Sequence, residues 1–188
     1  DTMMANTEGM ANVIHNQDTE VILEGVCFET ISTAVNNIAV PSWVFTEFGQ
    51  TSQSRNFNYS AMLYSDGRYV VHWGTGQSVP DITKLETQMF IYYMSRRFID
   101  AGVEALHYGQ TQLTGEEDPF YCNWNSTIRR VRNYASTNAR RNNVLINAHN
   151  QGMYNNCTDK WYSAKGKFIY ESGNASDYYN SDITRLNR

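Results

Sequence analysis

Short apolar runs alternate with stretches of helical periodicity along this chain. Residues 3–17 (MMANTEGMANVIHNQ) place Met3, Met10, Val13 and Ile14 near helical spacing and predict a first helix, ended by Asn16 to Asp18. Residues 21–29 (VILEGVCFE) are rich in β-branched side chains and nearly continuously apolar, which predicts a strand covered on both faces. Residues 30–38 predict a helical turn, and Pro41 opens an aromatic segment over 43–48. A long connection, 49–80, is rich in Gln, Ser, Asn, Tyr and Gly, and its Asp66-Gly67 pair predicts a small hairpin. The rings within it (Phe57, Tyr59, Tyr64, Tyr69, His72, Trp73) argue for order.

The clearest helix follows. Asp81 is placed as its N-cap, Leu85, Met89, Tyr92, Tyr93 and Phe98 mark its buried stripe, and Gly102 is placed just beyond its end. Residues 103–110 (VEALHYGQ) predict a second strand, and 111–122 an acidic loop. Residues 124–141 predict a helix whose outer side carries Arg129, Arg130, Arg132, Arg140 and Arg141 as a solvated charged face. Residues 144–150 (VLINAHN) and 167–171 (KFIYE) predict a third and a fourth strand around a polar loop. Helices alternating with short apolar strands predict an α/β protein with a parallel sheet.

Length sharpens that picture. A closed (β/α) barrel usually takes about 250 residues, and this chain has 188 residues. The expected fold is a single α/β domain over 1–188, TIM-barrel-like but incomplete, with about four strands. It is then either part of a longer protein or a half-barrel whose edges need a partner.

Composition narrows the function classes. Net charge is −4 and the pI is near 5.5, which argues against a general nucleic-acid binder. No apolar run approaches the roughly 18 residues of a membrane span. The chain holds 20 Asn and 13 Tyr against 15 Lys plus Arg, so its polar groups are amides and phenols more than charges. Amides suit sugar hydroxyls and rings suit the apolar faces of pyranoses. Four N-x-[S/T] triplets, at Asn58, Asn125, Asn156 and Asn174, fall in predicted loops or element ends and suggest N-glycosylation and secretion. Of three cysteines, Cys27 sits in an apolar run as a buried thiol, while Cys122 and Cys157 could pair as a disulfide.

In parallel α/β folds active groups gather at the carboxyl ends of strands. The predicted strands deliver Glu29, then Tyr108 and Gln110, then His149 and Asn150, then Glu171 at that end. Glu29 and Glu47 are candidate catalytic carboxylates for glycoside cleavage, with His149 beside them. Gln110 and Asn150 would position hydroxyls, and Trp43, Trp73 and Tyr108 would form a sugar platform. No local ligand spacing supports a metal, and no phosphate- or dinucleotide-binding motif implies a cofactor.

The segments FETISTAVNNIAVPSWVFTEFG, SVPDITKLETQMFIYYMSRRFIDAGVEALHYGQ and IRRVRNYASTNARRNNVLINAHNQG resemble a poorly characterised group of secreted proteins with a glycosidase-like (β/α) barrel, over roughly residues 20–152. The resemblance implies that Glu29, Gln110 and His149 line a sugar site. Two functions are therefore expected as alternatives. One is a glycoside-hydrolase-like protein acting on or binding extracellular carbohydrate. The other is a non-catalytic, self-associating extracellular glycoprotein with a degenerate barrel.

Overall fold

The computed structural model describes residues 2–118, 121–149 and 169–171. Helix α1 (Thr2–Gln17) precedes strand β1 (Glu24–Val26) and a short strand β2 (Ile31–Ser32). A 3-10 turn (Thr33–Asn37), helix α2 (Ser42–Glu47), a second 3-10 turn (Tyr59–Met62) and strand β3 (Gln77–Ser78) follow. The remaining elements are α3 (Leu85–Asp100), β4 (Ala105–Gln110), α4 (Thr111–Thr114), α5 (Cys122–Asn138), β5 (Leu145–His149) and β6 (Ile169–Glu171).

Four strands pair in the order β1-β4-β5-β6, every pair parallel. Within this sheet spatial order is chain order, and β2 and β3 form a separate antiparallel pair. The expected parallel α/β fold is thus present, and among the described residues the sheet is open, with no closed barrel.

One face of the sheet is covered by α3 and α5. Leu106, Tyr108, Ile146 and Ala148 project from it into a core with Tyr92, Phe98, Ile99, Trp124, Ile128 and Val131. Each buried Leu or Ile contributes roughly 1.5–3 kcal/mol relative to exposure. Gly25 lets β1 approach closely, because a β-carbon there would stand 2.7 Å from the Phe98 ring. On the far side of α3, Met89 and Tyr93 join a second core with Val44, Phe45, Phe57, Tyr59 and Met62. A seam of rings and cations joins the helices. The Arg96 guanidinium lies 4.1 Å from the Trp43 ring and 4.2 Å from the Tyr134 ring, between α2 and α5.

The long connection is pinned to this frame. Arg55 donates two hydrogen bonds to Glu86 in the first turn of α3, at 2.6 and 2.8 Å. Asn36 Oδ1 accepts from the Tyr59 backbone, and the Tyr64 hydroxyl donates to the Leu113 carbonyl at 2.6 Å. The expected order of this segment is present, but the expected hairpin is not. Gly67 closes a turn onto Tyr64, and Tyr69 and Val71 then take left-handed conformations (φ 59° and 51°) that coil the chain. Asp81 does not cap α3 either. Its carboxylate accepts from the Thr83 N–H and hydroxyl at 2.8 and 2.7 Å, a local turn that competes with the helix, which starts at Leu85.

The arginines near α5 are engaged rather than solvated. Arg130 pairs with Glu47, and Arg132 is buried. Arg140 and Arg141 donate to the fully buried Glu104 at 2.7 and 2.6 Å, where His15 Nε2 also contacts it at 3.0 Å. Both arginines also reach the Thr19 carbonyl. This cluster ties α1, the entry to β1 and the segment after α5 together at the amino ends of the strands.

Candidate functional site

The carboxyl ends of the strands form one row. Gln110, the last residue of β4, pairs with His149 of β5, which pairs with Glu171 of β6. Glu29 joins from beyond β1. Its Oε2 accepts from the Gln110 N–H at 2.9 Å and its Oε1 from Gln110 Nε2 at 3.0 Å. A register shift between His107 and Gln110 allows this clasp, with Gly109 inside it at a φ of 62°. Glu29, Gln110 and the backbone of His149 therefore come together. Glu29 is only 7% exposed, which fits a carboxylate that holds two strand ends more than one that meets solvent.

Among the described residues polar groups collect on the second face of the sheet, where Glu24, Val26 and Phe28 are exposed, His107 is half-buried and Asn147 is buried. Alternation puts Glu24, Val26 and Phe28 on this face together with His107 and Asn147, since Val26 pairs with His107 and His107 with Asn147. Asn147 Nδ2 donates to Glu24 Oε1, and Asn147 Oδ1 contacts His107 Nδ1. Ala105, opposite Glu24 on the intervening strand, is small enough to let the Glu24 side chain pass over it. The Phe28 ring meets the His107 ring edge-on at 6.4 Å and is 62% exposed, an uncovered apolar surface beside an imidazole and an amide.

Behind Phe28 lies an apolar hollow of about 520 Å³, bounded by Met3, Met4, Val26, Ile31, Phe90 and Met94. None of its lining residues is charged. Burial pushes the Cys27 thiol at its margin up to about 12, against a lowering hydrogen bond with Ser95.

Other expected site residues lie elsewhere. Glu47 is in the helix layer, where its Oε1 pairs with Arg130 at 3.2 Å and the Tyr92 hydroxyl donates to its Oε2 at 3.4 Å. The structure does not bring it to Glu29. Trp43 stacks on Tyr93 at 5.9 Å and under Arg96 in the same layer. Tyr108 faces the helix core, fully buried, with its hydroxyl 2.9 Å from Ser95, so it has no surface to offer a sugar. Burial raises its pKa, as does the neighbouring Cys27 thiol. Trp73 is 40% exposed in the coiled loop, edge-on to His72. Asn58 is exposed and accepts from the Ala61 N–H, whereas Asn125 is buried inside α5, where a glycan has no room. Asn150, Asn156, Asn174 and Cys157 lie outside the described residues, and with Cys157 the expected disulfide to the exposed Cys122.

Glu24, Phe28, His107 and Asn147 on this face are not among the site residues expected from the sequence. Their signal was the two-residue alternation within each strand, but pairing registers between distant strands cannot be read from alternation alone. Among the described residues no group of His, Cys, Asp and Glu is placed to hold a metal ion, and no helix is long and apolar enough to cross a membrane. No family model, curated protein or solved structure matches the chain.

Proposed function

We propose that this protein binds carbohydrate in the extracellular space, on the Phe28 face of a sheet arranged like part of a (β/α) barrel. The observation that carries the reading is the exposed Phe28 ring set edge-on to His107, within one hydrogen-bonded set of Asn147 and Glu24. An apolar ring beside amide, imidazole and carboxylate suits a pyranose, whose C–H face stacks while its rim hydroxyls exchange hydrogen bonds. The chain-order parallel sheet supports the barrel-like arrangement, because sequential parallel strands with helices on one face are what such barrels repeat.

Binding without hydrolysis is the form that the carboxylates favour. Glycoside cleavage needs two carboxyl groups roughly 5–9.5 Å apart across the bond. Glu47 belongs to the helix layer, while Glu29 is buried in its clasp with Gln110 and Glu24 is held by Asn147. A glycan panel, read by binding and by release of reducing ends, tests both forms. Binding weakened in Phe28→Ala with no sugar released is the expected result. Turnover abolished by Glu29→Gln would establish hydrolysis, and no binding to any glycan would end the proposal.

A further inference from the structure

Phe28 stands on two surfaces at once. Its exposed ring meets His107 edge-on at 6.4 Å and also bounds the apolar hollow of about 520 Å³. Val26, two residues earlier, does the same: it pairs with His107 and lines the hollow. The polar set of Glu24, Asn147 and His107 and the mouth of the hollow are therefore neighbours along β1 and the residues that follow it. From this juxtaposition we infer that the ligand is a neutral, glycolipid-like amphiphile, whose sugar lies on the Phe28 face and whose alkyl chain enters the hollow.

The inference rests on the carbohydrate reading of that face and names the class of carbohydrate. The hollow decides the rest. Its volume lies within the range of small-molecule sites, and is about three times the ~150 Å³ in which a protein cavity holds one benzene. Met3, Met4 and Met94 give it flexible, polarisable walls that can follow a chain. Its polar side chains, among them Thr30, Ser32 and Gln77, are all neutral. An ionised fatty acid would lose its hydration there without meeting a cation, so a neutral chain is favoured. The burial that pushes the Cys27 thiol up to about 12 reports the same apolar surroundings. Met3, Val26 and Phe28 line the hollow and are exposed, so among the described residues it has an apolar mouth beside the sugar face. A concave space of this kind takes a slender chain more readily than the surface of a partner protein.

The experiment is calorimetric titration of the full chain with methyl, hexyl, octyl and decyl glycosides of glucose, galactose, mannose and N-acetylglucosamine. Each is kept below its micelle threshold, and the matching straight-chain alcohols are run beside them. In at least one sugar series the affinity should rise about two- to fourfold for each methylene added, until the hollow is full. The heat capacity change of binding should become more negative in step. Ala34 lines the hollow and is exposed, so Ala34→Trp fills the space from outside the cores. That variant should remove the gain with chain length while its thermal unfolding stays cooperative. A gain that survives in a folded Ala34→Trp overturns the inference, because the chain then lies elsewhere. Methyl and decyl glycosides that bind equally also overturn it, and leave the carbohydrate reading standing. Octanol that binds as tightly as every octyl glycoside overturns both, since the sugar then contributes nothing, as does a failure of every series to bind. A dimer by light scattering that the decyl glycosides neither enter nor dissociate would give the mouth to a second copy and overturn the inference.

Discussion

Glu29 Oε2 lies 1.8 Å from the point where a β-carbon at position 109 would stand. Only glycine fits there, and for two reasons: the space is occupied, and the backbone is left-handed at φ 62°. Gly109→Ala should expel the carboxylate from its clasp with Gln110 and cost about 3 kcal/mol in strain and lost hydrogen bonds. Urea unfolding measures this. A loss no larger than that of a surface substitution would mean that the clasp does not bind the strand ends. Glu29→Ala in the same chain should recover part of the loss, because the two positions are in contact.

Glu104 is the counterpart at the other end of the strands. Its buried carboxylate serves Arg140, Arg141 and His15 at once. Glu104→Gln removes the charge and leaves cations facing a neutral group, at a cost of about 3 kcal/mol. For a chain of this size the midpoint of thermal unfolding should fall by roughly 6–12 °C. An unchanged midpoint would reduce the cluster to ornament.

Phe28 gives the opposite signature. It is 62% exposed, so Phe28→Ala should change stability by no more than about 0.5 kcal/mol. Glycan affinity should fall about tenfold, roughly 1.4 kcal/mol. Calorimetric titration of both proteins with one oligosaccharide checks the pair of effects. Equal affinities would move the site away from this ring.

The Cys27 thiol gives a pH dependence with a definite sign. Its pKa is raised to about 12 by burial, so the folded chain holds the proton more tightly than the unfolded one. The stability this adds is fully present below the ordinary value of 9.0 and is lost as the pH rises through about 12. Between pH 9 and 11 the wild type should therefore lose urea resistance more steeply than Cys27→Ala. Parallel curves for the two proteins would show a thiol that titrates as if exposed.

Asn58 and Asn125 separate cleanly as glycan acceptors. Asn58 is exposed at the start of a 3-10 turn, and Asn125 is 2% exposed within α5. Glycopeptide mass spectrometry of folded, secreted material should find a glycan at Asn58 and none at Asn125. A fully occupied Asn125 would require α5 to sit differently.

Much of the scaffold was legible because local periodicity and tertiary packing agree in it. The apolar stripe Met89, Tyr92, Tyr93, Phe98 predicts a helix, and α3 is that helix, set between two cores. The run VILEGVCFE predicts a strand, though only Glu24–Val26 pair, since the segment after Cys27 leaves the ladder to reach Gln110. The site was less legible for a geometric reason. Tyr108 and Gln110 look alike in a two-residue alternation, but the register shift between His107 and Gln110 separates their environments. Tyr108 ends in the helix core and Gln110 at the strand-end clasp. Glu47 looked like a partner for Glu29 only because an aromatic segment precedes it. An arginine 83 residues further along the chain decides its place.

The Arg96 guanidinium between Trp43 and Tyr134 gives the molecule a gauge of its own. A cation against an indole alters that indole's emission, and this indole touches the contact through which α2, α3 and α5 hold together. With Trp73, Trp124 and Trp161 replaced by Phe, Trp43 fluorescence reports the closure of the helix layer. Breathing of the scaffold can then be followed separately from occupancy of the face.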